Sequence, residues 1–193
     1  MGRAQLPLFP LHTVLFPGGP LPLRVFEPRY LTMVSRCMRE DSGFGVLLIR
    51  EGTEIGRAAT FDVGTVAGIV DWHQGSDGVL GVTAQGRQRF EVQATEQQAD
   101  GLYLGTIRRI AAEPAIAVPG EYRFLTRLLR RGLDELGSLY RSIPVQYGDS
   151  AWVGHRLTEI LPLPLTVKQQ SLEMHDPVAR LGLLTPYVKA ERG

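Results

Sequence analysis

The 193-residue chain predicts an α+β protein in two parts, a β-rich half over residues 1–111 and a helical half over 121–193, joined by a linker at 112–120. Three features carry this. Between Phe61 and Ile110, apolar and polar side chains alternate in short runs separated by glycines, as strands with one buried face require. After Tyr122, leucines recur every three or four positions, as amphipathic helices require. Between these regions lies AEPAIAVPG, whose prolines and glycine break both periods. Several short strands with regular turns point to a small barrel or sandwich.

The elements follow in order. Leu6–Leu11, LPLFPL, is extended and apolar, and its prolines predict an edge strand. Pro17-Gly18-Gly19-Pro20 is a turn by composition. Leu21–Phe26 is a short strand, with Pro22 placing it at an edge. A helix opens at Pro28, where a missing N–H costs nothing, with Glu27 as its cap. Tyr30, Leu31, Val34, Cys37 and Met38 form its apolar side, and Gly43 lies just past its end. Phe44–Arg50 is a buried strand and Glu51–Gly56 a polar loop. From Phe61, Val66, Val70 and Trp72 fall on one side of a strand, with Thr65, Ile69 and Asp71 on the other. Asp77-Gly78 marks a hairpin, Val79–Ala84 the return strand, and Gln85-Gly86 a further turn into Arg87–Gln93. Leu102–Ile110 is the last strand. In the second half, Tyr122, Leu125, Leu129, Leu133 and Leu136 make one stripe, and Val153, Leu157, Ile160 and Leu161 another, with Ser150 as cap. Pro162 and Pro164 end that helix. Thr166 and Gln169 form a capping pair for a third helix, and Asp176-Pro177 opens a fourth, disturbed at Pro186.

Composition bounds the function. The 44% hydrophobic and 21% charged fractions are those of ordinary globular proteins, and a net charge of +1 gives no global field toward nucleic acid or anionic membranes. One cysteine, Cys37, permits no intrachain disulfide, which fits a reducing compartment. The N-terminus makes a poor signal peptide, and no apolar run reaches the ~20 residues of a membrane helix. A cytoplasmic protein with no membrane partner is expected.

No catalytic or cofactor motif emerges. The two lysines, Lys168 and Lys189, each follow a valine, so neither is a phosphate-loop lysine. In Gly148-Asp149-Ser150-Ala151-Trp152, Trp152 stands where a nucleophile elbow needs glycine, so Ser150 reads as a cap. His12, His73, His155 and His175 lack metal-ligand spacing, and one cysteine cannot complete a zinc set. No metal, no cofactor and no enzymatic activity are expected. Arg123, Arg127, Arg130 and Arg131 line one helix face, which a solvated surface explains and a phosphate ligand would also fit. Trp72 and Trp152 are large enough to anchor a partner.

Three segments resemble the Lon N-terminal domain family. They are LPLFPLHTVLFPGGPLPLRVFEPRYLTMV, FDVGTVAGIVDWHQGSDGVLGVTAQGRQRFEV and ILPLPLTVKQQSLEMHDPVARLGLL, in family order. The resemblance implies a PUA-like β-barrel followed by a C-terminal α-helical bundle. In Lon proteases this module precedes ATPase and Ser–Lys peptidase domains, helps recognise substrates and helps organise the hexamer; a related domain occurs in cereblon. The expected function is therefore that of a stand-alone, non-catalytic polypeptide-binding module, a substrate receptor or adaptor. Its expected partners are unfolded or apolar segments of other proteins and an ATP-dependent protease. The binding residues expected are Phe16, Phe26, Tyr30 and Trp72, near the meeting of the two halves, with edge strands adding backbone hydrogen bonds. The alternative is RNA or small-ligand binding through the PUA-like barrel; nucleic acid is the weaker expectation.

Overall fold

A computed structural model describes residues 4–54, 58–75 and 79–190. The chain divides into two compact units, Met1–Ala111 and Ala112–Gly193. The Asp77-Gly78 hairpin turn and the end of the expected loop at Gly56 lie outside the described residues.

Unit one is a seven-stranded sheet with one helix: β1 (Ala4–Leu11), β2 (Pro20–Val25), α1 (Pro28–Glu40), β3 (Gly43–Gly52), β4 (Ala58–Thr60), β5 (Val63–Gln74), β6 (Leu80–Gln97) and β7 (Tyr103–Arg109). The strand order is β1-β7-β6-β5-β3-β4, β2 pairs with β6, and β1 also pairs with β3. Hydrogen bonding thus runs from β1 through β7, β6, β5 and β3 back to β1.

The edge position expected for the first strand is corrected. β1 pairs antiparallel with β7 over Ala4–Leu8 and parallel with β3 over Leu8–Leu11. Pro7 and Pro10 each fall in a half where only one edge is paired, so the nitrogen without a proton can face the unpaired side. The turn expected at Gln85-Gly86 is absent, because β6 runs unbroken through it. Gly86 instead answers a close approach. Its N–H donates to Gly19 O at 2.8 Å and its C=O accepts from Gly18 N at 2.7 Å. A Cβ there would collide with the Phe16 carbonyl. Register shifts after Thr65 and Ile69 break the simple alternation expected along β5.

α1 begins at Pro28 after Glu27 and ends at Glu40, where Asp41, with φ 46°, takes the left-handed position and Gly43 lies just beyond. Its buried residues are Tyr30, Met33, Val34 and Cys37, whereas Leu31 and Met38 stay exposed. This stripe packs with Phe9, Phe44, Val82 and Ala84 in one core; Leu8, Leu47, Val66, Phe90 and Ile107 form part of a second.

Unit two contains α2 (Arg123–Leu136), α3 (Ser138–Arg141), α4 (Ser150–Ile160), α5 (Leu165–Glu173) and α6 (Pro177–Ala190). Leu125, Leu129, Val153, Leu157, Leu181 and Leu184 are fully buried in its core. Two of the three expected caps shift, one by one residue and one by two. Asp149, not Ser150, caps α4, accepting from Trp152 N at 2.9 Å. Pro164, not Thr166, precedes α5. Asp176 caps α6 through Val178 N and Ala179 N. The 112–120 stretch is bound to this unit: Ala117 bridges to Asp149, and Val118 N donates to Gly148 O. Among the described residues no helix is long and apolar enough to cross a membrane.

Candidate functional site

Unit one carries an open groove of about 820 Å³. Its apolar lining includes Phe9, Leu11, Leu21, Leu23, Val25, Phe26 and Tyr30; its polar lining includes His12, Arg24, Glu27 and Glu54. All of these belong to unit one. β2 and the segment leading from it into α1 build most of it, so part of the proline-rich stretch identified in the sequence supplies one wall.

The floor is aromatic. Tyr30 stacks on Phe9 with ring centroids 3.9 Å apart at 19°. Arg29 lies 4.6 Å from the Tyr30 ring centroid, a cation–π distance. Arg29 also donates to Glu27 Oε2, to Gly101 O at 3.0 Å and to Glu54 O at 3.3 Å. One guanidinium therefore ties the helix start to two loops and fixes the polar end of the groove. Sequence reasoning passed over Arg29; its only signal was a cation beside an aromatic at a helix start.

The four expected residues occupy different environments. Phe26 is 60% exposed at the groove and Tyr30 only 3% exposed beneath it. Phe16 is fully buried and packs behind the turn that crosses Gly86. Trp72 is 55% exposed and is not part of the groove lining. It pairs across Val82, which pairs across Leu23, so one row on one sheet face runs from the groove to Trp72.

β2 has one partner among the described strands, β6. The Gly86–Gly19 hydrogen bond sets the ladder's phase, so Leu21, Leu23 and Val25 point their backbone groups toward β6. Pro20, Pro22 and Arg24 point theirs outward. Two of those three have no N–H to give, so the carbonyls of a strand added here would find few donors on β2.

The remaining candidates are placed as follows. Ser150 is fully buried and its hydroxyl donates to Ala117 O at 3.2 Å. Cys37 is buried, which pushes its thiol pKa up. The His73 ring lies across Gly81. Lys168 donates to Glu159 O at 2.8 Å, and burial lowers its pKa. Arg123, Arg127, Arg130 and Arg131 are exposed, with Arg130 lying 4.6 Å from the Tyr147 ring centroid. No cluster of three or more metal-ligating side chains occurs among the described residues.

Unit two holds an ionic cluster that sequence reasoning missed. Arg180 is fully buried and donates to both Glu113 oxygens, at 2.7 and 2.6 Å, and to the Ser171 and Met174 carbonyls. His155 Nε2 lies 3.7 Å from Glu113 Oε1. Burial would raise the Glu113 pKa, but His155 and Arg180 outweigh it and hold the carboxyl at about 2. Burial pushes His155 down to about 4, against the pull of Glu113. The lone acid in an apolar, proline-broken stretch was the available signal.

The comparisons agree with this architecture. A family profile for the substrate-binding domain of ATP-dependent protease La (LON) matches residues 5–190. The Lon protease of Anaeromyxobacter dehalogenans (strain 2CP-C) is 27% identical over 199 residues, which cover 98% of this chain and 23% of that protein. Cereblon of Xenopus tropicalis is 35% identical over 108 residues, 54% of this chain and 23% of that protein. The crystal structure of a Lon N-terminal domain protein from Xanthomonas campestris superposes with a TM-score of 0.80 at 36% identity, covering 95% of this chain and 98% of that one. The chain thus spans about a quarter of the length of these two curated relatives. With the match running through both units, this chain belongs to the family of Lon protease substrate-binding domains.

Proposed function

We propose that this chain is a non-catalytic polypeptide receptor that takes apolar side chains of other proteins into the groove of unit one. The observation that carries it is Phe26, a phenylalanine 60% exposed beside an 820 Å³ apolar groove in a Lon-type substrate-binding domain. Burying a partner's apolar side chains supplies the affinity, at roughly 25 cal/mol per Å² removed from water. Tyr30 forms the floor, and Trp72 offers a second anchor at the far end of the Leu23–Val82–Trp72 row. Phe16 supports the wall from behind. The partners are unfolded or apolar segments, delivered to an ATP-dependent protease. The circuit of strand pairing supports reading unit one as a PUA-like barrel.

The test is isothermal titration of the full chain with a permanently unfolded polypeptide, for example a reduced and carboxymethylated globular protein. Saturable binding is expected, weakened roughly tenfold by Phe26→Ala with the melting temperature unchanged, as loss of one buried aromatic contact requires. No saturable binding, or no effect of Phe26→Ala, sinks the reading.

A further inference from the structure

We propose that the groove selects internal peptide segments by donating the Tyr30 hydroxyl to one neutral backbone carbonyl next to an apolar side chain of the ligand. This rests on the groove being a polypeptide site and specifies what it reads there.

Three observations lead to it. First, the Tyr30 ring is held in place. Phe9 stacks on it and Arg29 lies against it, and the residue is only 3% exposed while lining the groove. Its hydroxyl makes no hydrogen bond to any described residue. The hydroxyl lines the groove and has water as its partner there, so an acceptor on a bound ligand can take the place of that water. Burial also pushes its pKa up to about 12, so the group remains a donor at any physiological pH.

Second, the charged groups nearest that hydroxyl include Arg29, Glu27 and Glu54, with Tyr103 beside them. Glu27 accepts from Arg29 Nε at 3.0 Å, and Glu54 Oε1 accepts the His12 N–H at 2.8 Å. Arg29 and Arg24, which also lines the groove, balance the two carboxylates, so the groove carries no net charge that draws an anion and a neutral carbonyl suits it. A ligand cation would have to compete with Arg29, which already sits on Glu27 and Tyr30. Third, Pro20 and Pro22 remove the N–H groups that the outer edge of β2 would otherwise offer to a ligand's carbonyls. The Tyr30 hydroxyl is a donor that the groove retains.

The experiment is fluorescence anisotropy on the full chain. The probe is a labelled twelve-residue peptide of leucine, phenylalanine and serine, ending at an apolar pair, prepared with an amide terminus and with a free carboxylate. Tyr30→Phe removes the hydroxyl and keeps the ring. It is expected to weaken the amidated peptide about fivefold, the size of one neutral hydrogen bond, with the melting temperature retained. The free-carboxylate peptide is expected to bind wild type more weakly than the amide. If Tyr30→Phe binds as wild type does while Phe26→Ala still weakens binding, the carbonyl contact is overturned and the groove reading stands. If neither substitution matters, or neither peptide binds, both fall. Tighter binding of the carboxylate form overturns selection of a neutral carbonyl.

Discussion

Side chains of one type do different work here according to what surrounds them. Phe16 and Phe26 lie ten positions apart, one fully buried and one 60% exposed. Phe16→Ala should cost about 3–5 kcal/mol of stability by leaving a cavity, whereas Phe26→Ala should leave chemical denaturation midpoints nearly unmoved. Gly86→Ala should also destabilise strongly. Its Cβ meets backbone, the Phe16 carbonyl, which cannot swing aside as a side chain can. The check is urea denaturation of each variant, with at least 2 kcal/mol expected for the glycine change. In unit two, Arg180 satisfies Glu113 and two carbonyls at once. Arg180→Met strands a buried carboxylate and should cost about 3–5 kcal/mol, read by the same titration.

At the scale of elements, the proline content of β2 has a physical consequence. A strand paired on one side is open to another chain, and prolines on the outward-facing phase close it. Replacing Pro20 and Pro22 together by valine should restore the missing donors without disturbing the β6 ladder. Light scattering should then show self-association rising with concentration, while wild type stays constant. A double variant that scatters like wild type would remove the prolines' protective role. α6 shows the opposite economy, since one short motif does two jobs. Asp176 caps the helix, and Arg180 one turn later secures the 112–120 stretch through Glu113.

Across the whole molecule, acid sensitivity should concentrate in unit two. Burial lowers His155 from 6.5 to about 4, so the unfolded chain takes up that proton more readily than the folded one. Stability from this group is full above pH 6.5 and is lost as pH falls toward 4. Glu113 follows, held at about 2 against an ordinary 4.5, with its contribution lost as pH falls from 4.5 to 2. Either change amounts to something on the order of 3 kcal/mol. Arg180 and Arg156 face the pair and oppose adding a positive charge to His155. Each unit carries one tryptophan, Trp72 and Trp152, so Trp152 fluorescence in a Trp72→Phe variant reports unit two alone. Its thermal midpoint should fall between pH 6.5 and 4, and His155→Gln should flatten that fall. An unchanged slope would clear His155 of the effect.

The α+β character, the order of elements, the start of α1 at Pro28 and the leucine stripes of unit two were legible in the residues themselves, because propensity and periodicity act over a few positions. So were the turn, short strand and helix start between Phe16 and Tyr30, from the breakers and apolar residues there. Tertiary structure decided the rest. It made Gly86 a point of close approach instead of a turn and placed Pro7 and Pro10 in a strand paired on both sides. It separated Phe16 from Phe26 and joined Glu113 to Arg180 across 67 positions. Each of these depends on which surfaces come together and on what burial then does to a polar group. Such contacts are set by strand pairing and packing between distant segments, on which local residue preferences have no purchase.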